Sequence, residues 1–225
     1  AFASIKQTDA ALYYKIQLLK ANTFNRTNNR TGALDLQLKL LDEAEKEGNI
    51  NAQLFALNFI GATYLNVNKP AEAKQSWIKG LQIIKEAQDP ANEEIEAYIF
   101  SNLALYYFER YYVNKTQAVK DSFLVSINNA IELSAKNENL GVQASSHMLL
   151  GNFYGFCQQF SDGEKNLKQG LEVRKKVGDP YYIVDDMIAI SNFYLNQQQY
   201  TKCIEQAKEG LLIAERNGIS GLQLQ

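Results

Sequence analysis

One spacing of small and large side chains returns along this chain at a near-constant interval. In Leu57-Asn58-Phe59-Ile60-Gly61-Ala62-Thr63-Tyr64 a glycine precedes a tyrosine by three residues, and Ala73, Trp77, Gly80 and Leu81 follow. Leu150-Gly151-Asn152-Phe153-Tyr154 repeats that separation, with Gly163, Leu167, Gly170 and Leu171 at the same offsets. A third copy runs Ile190-Ser191-Asn192-Phe193-Tyr194, then Cys203, Ala207, Gly210 and Leu211. Ser191 minus Gly151 is 40, and Gly61 minus Ala21 is also 40. Self-similarity at a period of roughly 20–50 residues means that each unit stacks on its neighbours to bury a shared face.

The residue types suit helices. Positions three and four apart share a helix face, so Leu57, Ile60, Gly61 and Tyr64 form one stripe. Glycine in mid-helix costs about 1 kcal/mol against alanine. Its return at Gly61, Gly80, Gly151, Gly170 and Gly210 therefore predicts close helix–helix crossings, with Tyr64, Tyr107, Tyr154 and Tyr194 filling the space beside them.

The pattern resembles the tetratricopeptide repeat family, in long repeats similar to those of bacterial signalling and sensor proteins. Leu57, Ile60, Gly61, Tyr64, Ala73 and Trp77 carry the resemblance best, followed by His147, Leu150, Gly151 and Tyr154. Phe100, Leu103, Ala104 and Tyr107 form a further first helix, whose partner aligns at Phe123, Ile127, Ala130 and Ile131 after an insertion. The first copy diverges, with Lys20 and Gln37 at normally apolar places, as expected of an end repeat. The resemblance implies an all-α fold, a right-handed superhelical solenoid of antiparallel helix hairpins.

Helices are predicted near 8–26, 31–46, 51–66, 70–87, 92–112, 118–136, 140–157, 161–177, 181–196 and 200–216. Glu47-Gly48-Asn49, Asp89-Pro90, Asn137-Glu138-Asn139, Gly178-Asp179-Pro180 and Asn217-Gly218 separate successive hairpins. The 225 residues thus read as a single solenoid of five hairpins, near 8–48, 51–89, 92–138, 140–178 and 181–217. Residues 218–225 read as the start of a further helix, so the chain is expected to be part of a longer protein or to self-associate through its C-terminal end.

Charge and hydropathy exclude several classes. A net charge of -2 provides no general attraction to nucleic acid or to an anionic membrane, and no apolar run is long enough to span a bilayer. Cys157 and Cys203 have no His or Cys neighbour at metal-ligand spacing and read as half-buried helix residues, with a disulfide between them the alternative. No metal or cofactor site is expected. The compartment stays open between cytoplasm and periplasm, with a slight lean to the latter; a start at Ala1 without methionine suits a cleaved precursor and a trimmed chain alike.

Little supports catalysis. His147, the single histidine, lies on the stripe of Leu150, Gly151 and Tyr154 and reads as a packed residue. Asp185 and Asp186 are adjacent and so point about 100° apart on a helix, poor geometry for a shared acid–base pair. Lys165, Lys168, Arg174, Lys175 and Lys176 read as a solvated basic face. Tyr106, Tyr107, Phe108, Tyr111 and Tyr112 read as extra packing beside the insertion rather than a ligand platform.

The opposite side of the first helices is more informative. It carries Lys15, Asn22 and Arg26, then Phe55, Asn58, Ala62 and Asn66, then Tyr98, Ser101, Asn102, Leu105 and Glu109, then Ser145, Met148, Asn152 and Phe156, then Asp185, Ile188, Asn192 and Asn196. In tetratricopeptide arrays this stripe lines the concave groove, so the resemblance implies a binding surface for a peptide or protein segment. An asparagine amide offers donors and an acceptor to any peptide backbone. The peptide-binding candidates are Asn22, Phe55, Asn58, Asn66, Tyr98, Asn102, Leu105, Met148, Asn152, Ile188, Asn192 and Asn196. The expected function is a non-enzymatic interaction module, the sensor or scaffold part of a larger signalling protein; a free-standing scaffold or cochaperone-type adaptor is the alternative.

Overall fold

The computed structural model describes residue 6 and residues 9–27 and 29–219. Ten helices follow: α1 (Ala10–Arg26), α2 (Arg30–Lys46), α3 (Ile50–Asn66), α4 (Pro70–Ala87), α5 (Glu93–Val113), α6 (Gln117–Lys136), α7 (Leu140–Phe156), α8 (Phe160–Val177), α9 (Pro180–Asn196) and α10 (Tyr200–Arg216). A 3-10 turn at Pro90–Asn92 precedes α5. The described residues contain no strand. Predicted and observed helix ends coincide or differ by at most two residues. The expected further helix falls at 218–225, of which residues 220–225 lie outside the described residues.

Capping explains many starts. Asp9, Asn29, Asn49 and Asn139 accept from the backbone N–H of Leu12, Gly32, Ala52 and Val142, satisfying a donor that the first helical turn cannot pair internally. Pro70 and Pro180 stand in the first turns of α4 and α9, where proline's fixed φ suits the helix. Within hairpins the turn is made by a left-handed non-glycine residue, Asn68 (φ 59°), Gln158 (φ 60°) or Gln198 (φ 60°). The turns at Gln158 and Gln198 carry no glycine, proline or asparagine and are not legible as turn signals, whereas Asn68, two residues before Pro70, has the chemistry of one.

The helices form two compact units, residues 1–129 and 130–225, with the division inside α6. In the first unit, Tyr14, Leu18, Leu40, Ala44, Ala52 and Ala56 bury one cluster and Leu54, Ala73, Trp77, Ile95, Ile99 and Leu103 another. Trp77 is fully buried and its indole Nε1 donates to the Asn58 carbonyl at 3.2 Å. A side chain on Gly61 would strike that indole. Gln37, at the repeat position of Trp77, is fully buried with neither amide atom paired. Phe108 of α5 meets Phe123 of α6 with ring centroids 5.9 Å apart.

In the second unit Met148, Leu167, Leu171, Met187, Ile190, Phe193 and Tyr194 share one core. A Cβ on Gly151 would stand 2.7 Å from Leu167 Cγ and 2.9 Å from both the Gly163 carbonyl and the Leu167 nitrogen. Helices α7 and α8 thus cross backbone to backbone. Gly170 is similarly tight, with Met148 at 2.9 Å and the Ala144 carbonyl at 3.0 Å. Two predicted crossings differ. At Gly210 the nearest atom is Met187 Cβ at 3.4 Å, an ordinary contact, and at Gly80 only the flexible Ile99 δ-methyl at 2.8 Å is close. Close approach therefore explains Gly61, Gly151 and Gly170, whereas Gly210 is not required by space.

Candidate functional site

In the first unit the predicted stripe occupies α1, α3 and α5. Asn58 is buried, and its Oδ1 accepts from Asn102 Nδ2 at 2.8 Å, linking α3 to α5. That bond leaves Asn102 Oδ1 and Asn58 Nδ2 for another partner. Tyr98 and Leu105, one turn to either side of Asn102, are exposed. Asn22 and Phe55 are half-buried, and Asn66 is exposed. Asn25 Nδ2 donates to Thr63 Oγ1 at 2.8 Å, a link between α1 and α3 that the sequence reading missed.

In the second unit the stripe is divided. Met148 lies in the core, in the space that Gly170 leaves open. Asn152 is half-buried, and Asn192 and Asn196 are exposed. Ile188 and Asn192 line an apolar groove of about 400 Å³ with Met187, Ser191, Ile204 and Leu211.

One expectation is overturned. Arg174, read as part of a solvated basic face, is buried. Its Nε donates to Asp186 Oδ2 at 2.9 Å, another guanidinium nitrogen donates to Ser145 Oγ at 2.9 Å, and its plane lies 5.2 Å from the Tyr182 ring centroid. The cause is register: Arg174 follows Leu167 by seven and Gly170 by four, so it faces the core with them. Burial pushes the Asp186 carboxyl above its usual range, and Arg174 pulls it partly back. His147 Nδ1 lies 3.3 Å from Asn166 Oδ1, and burial holds the imidazole below its ordinary value. Cys157 and Cys203 are free and half-buried.

No family model and no curated protein sequence matches this chain. Solved structures do. BtubC (BKLC) from P. vanneervenii superposes with a TM-score of 0.72 at 14% identity, over 100% of this chain and 89% of that one. A kinesin light chain with nearly identical TPR-like repeats from Podosopora anserina gives 0.62 at 12% identity, over 92% and 96%. A STAND signal-transduction ATPase with a tetratricopeptide repeat sensor, from Pyrococcus horikoshii, gives 0.63 at 15% identity, over 96% of this chain and 33% of that one. The fold is tetratricopeptide-like.

Within a tetratricopeptide-like repeat the missed Arg174 had a readable signal. It stands where the other second helices carry Ala44, Ile84, Ser134 and Ala214, and Asp186 stands where other first helices carry Ala56, Ile99 and Ser146. Two charges of opposite sign in apolar or small repeat positions mark a buried pair. Asn25 had no such signal, because asparagine is common throughout the chain.

Proposed function

We propose that the chain is a non-enzymatic module that holds an extended peptide or protein segment on the first-helix stripe. The observation that carries this is the Asn58–Asn102 amide pair flanked by exposed Tyr98 and Leu105. The inter-helix bond fixes the Asn102 side chain, so its free Oδ1 is already oriented toward a backbone N–H, which lowers the ordering cost of binding. Asn152, Asn192 and Asn196 extend the same chemistry on the second unit. The setting proposed is the sensor or scaffold part of a larger signalling protein; the likeness to a third of a STAND ATPase that has a tetratricopeptide repeat sensor supports it.

A peptide selected against this chain from a random phage library provides the test. A peptide held on the first unit should bind several-fold more weakly in Asn102→Ala, and one held on the second unit in Asn192→Ala, because a net hydrogen bond contributes about 0.5–1.5 kcal/mol. Melting temperature should hardly change in Asn192→Ala, whose side chain is exposed, and should fall in Asn102→Ala, which removes the donor to the buried Asn58 Oδ1. Asn58→Ala should cost both affinity and stability, because Asn58 is buried. Calorimetric affinities unchanged in Asn102→Ala and Asn192→Ala together would place the peptide elsewhere.

The last hairpin carries a second contact surface, proposed to take another copy of this chain. In the preceding hairpin, Met148, Leu167 and Leu171 are covered by Met187, Ile190 and Phe193 of α9. The same repeat positions on α9 and α10 are Ile188, Ala207 and Leu211. Leu171 is 6% exposed whereas Leu211 is 59% exposed, with Ile204 at 53% beside it. An apolar face of this kind marks an interaction surface. Sedimentation at rising concentration should show a dimer, and Leu211→Glu with Ile204→Glu should return it to monomer without lowering the melting temperature. A parent that stays monomeric at high concentration would reject the contact.

A further inference from the structure

A tyrosine on one hairpin's first helix meets the second helix of the hairpin before it. In the second unit, the Tyr194 hydroxyl donates to Glu164 Oε1 at 3.0 Å. The Lys168 ammonium donates to the same oxygen at 2.7 Å, and Lys202 Nζ lies 3.4 Å from each Glu164 oxygen and 5.1 Å from the Tyr194 ring centroid. There the protein supplies the anion itself.

The first unit fills this arrangement differently: Lys74 stands at the place of Glu164, Ile78 at that of Lys168 and Ser122 at that of Lys202. Lys74 follows Ala73 as Glu164 follows Gly163, and Tyr107 follows Ala104 as Tyr194 follows Ser191, so a lysine occupies the place of the carboxylate. Lys74 Nζ lies 5.4 Å from the Tyr107 ring centroid and 6.0 Å from that of Tyr106. Arg110, one helical turn after Tyr106, lies 5.9 Å from the same ring, and the two tyrosines pack edge to face at 5.1 Å. Among the described residues neither cation has an ion-pair partner and neither tyrosine hydroxyl has a hydrogen-bond partner, although Glu72 and Glu109 are close in sequence. The Arg110 Nε is buried without an acceptor. Cation–π contact offsets part of the desolvation of two like charges around one ring. A charge-assisted hydrogen bond to an anion would satisfy both, and the phenol hydroxyls as well.

We infer that Lys74, Tyr106, Tyr107 and Arg110 form a receptor for a carboxylate, delivered by an acidic side chain of a partner polypeptide to the cations and phenol hydroxyls that the first unit leaves without an anion. The site is separate from the asparagine pair, since its cations come from α4 and the last turn of α5. Its probe is acetyl-tetraglutamate amide, titrated at low salt and followed by the ring resonances of Tyr106 and Tyr107, with the tetraglutamine peptide as control.

Saturable shifts are expected with the glutamate peptide and none with the glutamine one. Lys74→Glu puts a carboxylate where the ammonium stands and should weaken binding at least tenfold at an unchanged melting temperature. Lys74→Met should give the same loss without adding a charge, and Lys74→Arg should keep the binding. Asn102→Ala should leave it in place, which separates this site from the groove proposed above. Parent-level affinity in both Lys74→Glu and Lys74→Met, equal binding of the glutamine peptide, or shifts that disappear in Asn102→Ala would each overturn the inference. Inorganic phosphate that saturates the site more tightly than the glutamate peptide would overturn the choice of carboxylate.

Discussion

Gly151→Leu is expected to destabilise the second unit by about 3 kcal/mol or more, near or beyond the upper end for overpacking substitutions. The reason lies in what the new side chain meets. A Cβ at position 151 would already lie 2.9 Å from the Gly163 carbonyl and the Leu167 nitrogen, and neither is the tip of a side chain that could swing away. The helices themselves must separate, opening the core of Met148, Leu167 and Leu171. Gly210→Ala is the control on the same unit. Its nearest neighbour is Met187 Cβ at 3.4 Å, so the added methyl fits and the helix gains about 0.5–1 kcal/mol from alanine's higher propensity. Chemical denaturation of both variants checks the pair. Gly151→Leu as stable as the parent would show that α7 and α8 do not cross backbone to backbone.

That contrast also marks how far the sequence could be read. The 40-residue recurrence yields the hairpins, because a helix face needs the same residue sizes wherever the same neighbour packs on it. It finds Trp77 over Gly61 for the same reason. It does not distinguish Gly151 from Gly210, since both occupy helix positions with a small side chain and only the neighbour's atoms decide whether a methyl fits. The turns at Gln158 and Gln198 escape for a different reason: their left-handed conformations are imposed by the helices on either side and not favoured by glutamine, whereas Asn68 is a residue type that adopts this conformation readily. On the candidate site, periodicity places Asn58 and Asn102 on one stripe. That Asn58 is buried while Asn102 is half-exposed depends on how closely α5 approaches α3, which no single-helix pattern contains. Arg174 was hidden by composition, because it lies in a run of basic residues that share its charge but not its face.

The Arg174–Asp186 pair provides the other large effect. Both side chains are more than nine-tenths buried, so removing one partner leaves the other as an uncompensated charge in the core. Arg174→Met is expected to cost about 3–5 kcal/mol at pH 7, and it also removes the bond to Ser145 and the stack on Tyr182. The cost should depend on pH with a definite sign. Burial, the largest influence, already raises the Asp186 carboxyl and Arg174 opposes it. Without the arginine the folded-state value rises further above the unfolded one. A group raised in this way contributes stability that is fully present below its unfolded value and lost as pH rises through the folded one. Relative to the parent, Arg174→Met should therefore recover stability as pH falls from neutral toward the ordinary aspartate range. The double variant Arg174→Met with Asp186→Leu should lose this pH dependence and stand close to the parent, because an apolar pair of similar volume replaces the ions without their desolvation. Melting curves of the three proteins across that range are the measurement, and a difference between parent and Arg174→Met that stays constant with pH would show that Asp186 remains ionised and solvated.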